Sequence, residues 1–403
     1  MAEDDIYQNK RIYELFITNL NKLLVKGVKK YYCKNKANLK YFKSLINKFE
    51  VDDLSYIRRL RLLSELKFLT YVINCDLKDI DDKTRDNLII EVRKKTKPSN
   101  LKKTKGDIKR IFNVLFDEDI PKSMKKFEIK VDISRQKART DKLVYDEFDK
   151  IMKFFSNNTV MQAYLSLAFE SLGRPQEICY TKISDLELFD NYAIVSINEH
   201  GKEGIKKLLS IDSFPYLIKM YNQHKNRKNQ NSFLFLNEYG NQLKPLAINK
   251  KIKIACKRLD IDKPITCYSL KRFGVTFRRL NGNSDVEIQR IAGWTSPKQL
   301  KTYDLSNQDD VFKIELAKRG LIKDNGLSKY APVSKNCEYC GDRVGFAEST
   351  CPKCFHIVDK DLIKKRAEIN RLKDIPNKIL NEIIDDELIN LMIKKMEEKG
   401  VKI

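Results

Sequence analysis

The chain has 403 residues, enough for two or three domains that each bury a core, and it carries 79 Lys and Arg against 55 Asp and Glu, a formal net charge of +24. An excess of that size points to a polyanionic partner such as nucleic acid, although a generally lysine-rich composition gives the same number. No apolar run of 18 residues occurs, and the start, MAEDDIYQNK, is acidic and polar; both argue against a spanning helix or signal peptide, so the expectation is an intracellular protein of cytoplasm or nucleoid.

Residues 8 to about 118 predict helices, with apolar side chains at three- and four-residue spacing in Ile12, Leu15, Phe16, Leu20, Leu23 and Leu24, and again from Tyr56 to Leu69. Residues 93–110 hold nine basic residues and one acid; such a run is either a solvated face or a phosphate contact. Pro121 to Arg139 reads as a basic linker without a helical stripe. Helical periodicity resumes near Val144, with acids in the first turn, and the run MQAYLSLAFESLG leads into an Arg174 turn. Tyr192 to Ile197 and Lys207 to Ile211 read as two strands around a glycine-containing hairpin. Phe233 to Leu236 reads as a further short strand, and Pro245 to Leu259 as a helix.

Nine cysteines fall into two groups. Cys33, Cys75, Cys179, Cys256 and Cys267 lie among apolar neighbours and read as reduced core residues. Cys337, Cys340, Cys351 and Cys354 form two CxxC pairs ten residues apart, the spacing of a zinc ribbon. Two such turns present four thiolates to one tetrahedral Zn2+ and leave no open position, so the expected role is structural. The tail from Asp359 predicts a charged helix broken near Pro376, its apolar face formed by Leu380, Ile384, Leu388, Leu391 and Met396.

Three stretches carry candidate chemistry: GRPQE at 173–177, GKEGIKKL at 201–208, and TCYSLKRF to GWTSPKQLKTY across 266–303. Metal-free phosphoryl transfer on DNA needs a hydroxyl attacking in line, fixed cations on the non-bridging oxygens, and an acid for the leaving oxygen. In order and spacing these stretches resemble the tyrosine recombinases, the family of the Xer and phage integrases, over roughly residues 140–320. The resemblance implies that Tyr303, nine residues after Trp294, is the nucleophile. Arg174 then matches the first catalytic arginine with Glu177 as its acidic partner, and Lys202 the hairpin lysine acting as general acid, with Lys206 and Lys207 close by. The second motif departs from the family's His-x-x-Arg: counting back 23 from Trp294 gives Lys271, with Tyr268 at the histidine position and Arg272 next door. Lysine keeps the charge but loses the planar fork, and a tyrosine donates a hydrogen bond rather than acting as a base. Three outcomes stand open: Arg272 replaces the arginine, Lys271 serves as a point charge, or the chain binds DNA without cutting it.

The expected architecture is mainly α. It comprises a helical DNA-binding (core-binding) domain over 1–120, a basic linker over 121–141, and an α-rich tyrosine-recombinase catalytic domain with a small antiparallel sheet over 142–325. A zinc ribbon over 333–358 and a helical tail over 359–403 follow. The resemblance implies a site-specific recombinase of a mobile element, cleaving and rejoining double-stranded DNA through a 3′-phosphotyrosine with no metal, ATP or catalytic cofactor in the reaction. It also implies self-assembly into dimers or tetramers on DNA and no membrane partner. A non-catalytic DNA-binding protein of this fold and a topoisomerase-like nicking-closing enzyme are the alternatives.

Overall fold

The computed structural model describes residues 8–27, 31–130, 139–197, 205–322, 333–359 and 362–364. The chain divides into two compact units, Met1–Arg139 and Thr140–Ile403.

The first unit is helical: α1 (Asn9–Thr18), α2 (Leu39–Val51), α3 (Tyr56–Val72), α4 (Asp82–Lys95), α5 (Pro98–Phe116) and the single turn α6 (Lys122–Lys125). Its core joins Phe42, Leu45 and Phe49 of α2 to Leu62, Leu66 and Leu69 of α3 and Ile108 and Ile111 of α5. Met124, Phe127 and Ile129 are buried in the same core, so the unit runs on through the start of the segment read as a linker; residues 131–138 of that segment lie outside the described residues. The basic run over 93–110 is partly neutralised inside the unit. Lys95 pairs with Glu65 at 3.0 Å and Lys109 with Glu128 at 2.9 Å, while buried Asp107 is held by Arg58 and Arg61.

The second unit begins with α7 (Tyr145–Phe154), α8 (Thr159–Glu170) and α9 (Pro175–Tyr180). An antiparallel sheet follows, in the order β1 (Leu186–Leu188), β2 (Ala193–Ile197), β3 (Lys206–Ser210). Strand alternation buries Leu208 and Ser210 on β3 and turns Lys207 and Leu209 outward, which puts Lys206 on the inward side. β1 is a strand that its length of three residues hides from pattern reading. Phe233 to Leu236 is not a strand: Lys182–Phe233 and Leu236–Gln242 form isolated bridges only. Then come α10 (Phe214–Asn222), α11 (Pro245–Arg258), α12 (Cys267–Leu280), α13 (Asp285–Ile291), α14 (Leu300–Tyr303) and α15 (Gln308–Lys318).

α8 and α12 are the central pair. Gly274 on α12 lets the two approach: a Cβ there would lie 2.3 Å from the Phe169 carbonyl oxygen and 2.6 Å from Leu172. Backbone cannot swing away as a side chain can, so Gly274→Ala is expected to destabilise the protein by at least about 2 kcal/mol, read as a fall in Tm.

The four-cysteine segment is not a separate body. Two short strands, β4 (Lys335–Asn336) and β5 (Arg343–Val344), pair antiparallel, and Phe346 and Ala347 just beyond them enter the main core of the second unit beside Phe148 and Tyr216. The Ala347 N–H donates to the Tyr216 hydroxyl at 2.8 Å, Lys219 pairs with Glu348 at 3.3 Å, and Ser334 donates its N–H to Asp212 at 2.9 Å. Gly345 leaves no space for a Cβ, which would sit 2.3 Å from the Tyr216 ring. The tail face of Leu380 to Met396 lies outside the described residues.

Candidate active site

The site is built on the turn before α9, on α12, and on the segment from α13 to α14. Gly173 and Arg174 follow α8, and Arg174 is buried at the start of α9. Its Nη1 donates to Glu177 Oε1 at 3.0 Å, its backbone N–H to Glu177 Oε2 at 3.1 Å, and its Nη2 to Gln299 Oε1 at 3.2 Å. The last bond ties the arginine to the 3-10 turn that precedes α14 and Tyr303.

α12 supplies the opposite wall. Tyr268, in its first turn, donates its hydroxyl to Gln176 of α9 at 2.9 Å. Lys271, one turn on, is fully buried; its Nζ lies 5.2 Å from the Trp294 ring centroid and 5.0 Å from that of Tyr303. Those two rings stack with centroids 5.3 Å apart and planes 21° from parallel. A cation against aromatic faces is held by the ring quadrupoles, so the three side chains fix one another. Below them Leu172, Val275, Ile288, Ala292 and Leu300 form a small apolar floor. Thr276 of α12 accepts the Leu305 N–H at 2.8 Å and so secures the chain just past Tyr303.

Arg272 faces elsewhere. Its guanidinium pairs with Asp141, whose carboxylate also accepts the Ser269 hydroxyl at 2.7 Å. Neighbours on a helix point about 100° apart, and here Lys271 turns to the two rings while the Arg272 guanidinium turns to Asp141. Of the two candidates for the second cation, the structure brings Lys271 beside Tyr303.

Lys206, which the sequence offers only as a near neighbour of Lys202, lies with this group. Its Nζ is 2.6 Å from Glu177 Oε2 and donates to the Ala292 carbonyl at 3.4 Å, at the corner that leads to Trp294. Burial pushes the Glu177 carboxyl up, but the Lys206 ammonium and then the Arg174 guanidinium outweigh it and hold the pKa below the usual value. Gln176, Gln299 and Asp141 also escaped pattern reading; neutral or lone acidic side chains carry no spacing signal. Lys202 lies outside the described residues. The Trp294 Nε1 is buried and has no hydrogen-bond acceptor among the described residues.

Away from this site, Cys337, Cys340, Cys351 and Cys354 bring their Sγ atoms within 4.8 Å of one another. Two of the pairs are 3.5 Å (Cys337–Cys354) and 3.6 Å (Cys340–Cys351) apart, near the roughly 3.8 Å edge of a tetrahedron with 2.3 Å Zn–S bonds. The donor set therefore fits a structural Zn2+. The other five cysteines are unpaired thiols, with Cys33, Cys179, Cys256 and Cys267 buried and Cys75 half-buried.

Residues 141–309 match the phage integrase family, and this segment of the chain is a domain of that family. The fold is that of the tyrosine-recombinase catalytic domain, mainly helical with a small antiparallel sheet. Similar solved structures include the Tn1549 transposon integrase in complex with transposon right end DNA, at 13% identity and a TM-score of 0.55, covering 70% of this chain and 99% of that one. A lambda integrase dimer bound to a COC′ core site aligns at 16% identity and 0.52, over 66% and 96%. A lambda integrase tetramer bound to a Holliday junction aligns at 15% and 0.51, over 73% and 87%. No curated protein matches. Among the described residues, no helix is long and apolar enough to cross a membrane.

Proposed function

We propose that the protein is a site-specific DNA recombinase that cleaves and rejoins double-stranded DNA through Tyr303. The observation that carries this reading is the Lys271–Trp294–Tyr303 stack, joined through Gln299 to Arg174. The phenol ring stands beside one buried cation, Lys271, a second buried cation, Arg174, is bonded to Gln299 four residues earlier in the chain, and the Trp294 indole N–H is without an acceptor among the described residues.

In this reading the Tyr303 Oη attacks the scissile phosphorus, its phenol proton passing to solvent water. A 3′-phosphotyrosyl bond forms, the bond from phosphorus to the 5′ oxygen breaks, and a proton passes to that oxygen from the hairpin lysine, Lys202. Arg174 and Lys271 hold the non-bridging oxygens, Arg174 by its fork and Lys271 as a point charge. Trp294 gives its indole N–H to the same phosphate, Tyr268 orders the wall beside it, and Glu177 aligns Arg174. The energy of the broken ester is kept in the phosphotyrosine, so rejoining needs neither ATP nor metal. Arg272 serves the fold through Asp141 rather than the phosphate. The four thiolates hold a structural Zn2+.

Self-assembly on DNA fits the same reading. α15, which follows the nucleophile, has no buried residue and exposes Val311, Phe312 and Leu316. The lambda integrase neighbours are a dimer and a tetramer on DNA. The net charge of +24 suits a duplex partner.

The test is covalent capture on duplexes spanning the junctions of the mobile element that carries the gene, with a 5′-bridging phosphorothiolate at candidate positions. The expected product is a protein–DNA adduct whose modified peptide contains Tyr303. Tight binding to authentic junctions with no adduct would instead establish a DNA-binding protein that has lost the chemistry.

A further inference from the structure

The hairpin places three lysines, Lys202, Lys206 and Lys207, within six residues, and they differ in what they can do. Lys207 points outward. Lys206 is nearly buried, its side chain 7% exposed, and its ammonium is directed at Glu177 and at the Ala292 carbonyl. Its stem lies against Gly293: a Cβ on that glycine would be 2.7 Å from the Lys206 Cδ, and the glycine has a φ of +64°.

We propose that Lys206 is a positioning residue that joins the Arg174 turn to the Gly293–Trp294 corner. Glu177 is the joint. One of its oxygens accepts the Arg174 Nη1, and the other accepts the Arg174 backbone N–H and the Lys206 ammonium. A buried ammonium is stable only when paired, so the lysine and the carboxylate lock each other in place. Through the Ala292 carbonyl and the stem beneath Gly293, the lock extends to the ring that stacks on Tyr303. The same arrangement spreads the Glu177 charge over two cations, leaving Arg174 more positive toward a phosphate than a private ion pair would. An ammonium held this way is not the proton donor for the leaving oxygen. The activity arm of this inference rests on the recombinase reading; its spectroscopic arm does not.

The experiment compares the full chain with Lys206→Met, which keeps the stem and removes the charge. Trp294 is the chain's only tryptophan, so fluorescence excited at the red edge, where tyrosine does not absorb, reports on this corner alone. The expected result is a red-shifted emission and acrylamide quenching raised about twofold while the far-ultraviolet spectrum is unchanged, because loss of the lock lets water reach the indole. Single-turnover cleavage of junction DNA is expected to fall about 100-fold with affinity held within about threefold, since misplacement by an ångström has that effect. A 5′-bridging phosphorothiolate, whose sulfur leaves without a proton, is expected not to restore the rate.

Should the Met variant fail to fold, Lys206→Gln carries the test. It keeps donors for both acceptors but no charge, and its cleavage is expected to be at least about tenfold slow. An unchanged Trp294 signal in folded Lys206→Met, rescue of that variant by the phosphorothiolate, or a parental rate in folded Lys206→Gln would each overturn the proposal. If the parent itself forms no adduct, the recombinase reading fails, and the fluorescence of Trp294 still decides the role of Lys206.

Discussion

Tyr303→Phe is expected to abolish the covalent DNA adduct, with single-turnover cleavage reduced by a factor on the order of 10⁴ or more. The substitution deletes one oxygen and leaves the ring, so its stack on Trp294 and the apolar floor beneath both survive. DNA affinity and Tm should therefore stay near parental values, which separates lost chemistry from lost structure. The two basic neighbours on α12 should split along the same line. Lys271→Ala is expected to slow cleavage about 100- to 1000-fold, the usual cost of removing one fixed charge from a developing phosphorane. Arg272→Ala should act on stability instead. It leaves the Asp141 carboxylate buried without its guanidinium, and breaking a buried pair costs about 3 kcal/mol or more. Thermal unfolding and denaturing-gel assays on the two variants measure both quantities. A folded Arg272→Ala that is stable but cleaves as slowly as Lys271→Ala would transfer the phosphate-holding role to Arg272.

Metal removal is expected to weaken the whole second unit rather than only its cysteine-rich end. A ribbon of four thiolates folds around its ion, with an apparent binding energy of about 10 kcal/mol or more. Here the ribbon is continuous with the catalytic core through Phe346, Ala347 and the Tyr216 hydroxyl. Freeing Phe346 alone should cost about 3 kcal/mol, and for a unit of this size that lowers Tm by roughly 6–12 °C. The measurement is thermal unfolding with and without a zinc chelator, alongside Cys337→Ser and Phe346→Ala. Phe346→Ala should shift Tm with zinc still bound, which assigns the effect to docking rather than to the ion. An unaltered Tm after complete zinc removal would show that these contacts persist without metal.

Much of this molecule was legible in its residues, for identifiable reasons. The ten-residue separation of the two CxxC pairs specifies four thiolates for one ion because each turn is a closed local geometry, and the four Sγ atoms do converge. The nine residues from Trp294 to Tyr303 cover one turn and one short helix, so local structure alone can bring the rings together, and they stack. The helices over Tyr56–Val72 and Pro245–Arg258 follow from apolar spacing and a proline at the first helical position. Tertiary structure decided the rest. Lys271 and Arg272 are equivalent in a sequence; only the packing of α12 against α13 and α14 on one side and Asp141 on the other says which faces Tyr303. Lys206 and Lys207 are likewise equivalent until strand register turns one inward, toward a carboxylate 29 residues earlier in the chain. The ribbon read as a separate domain because its ligands are local. Its docking depends on Phe346 finding Phe148 and Tyr216, residues far away in sequence whose meeting no spacing encodes. Geometry carried by short-range spacing was written in the sequence, whereas geometry that depends on which side of an element meets which neighbour was settled only when the core closed.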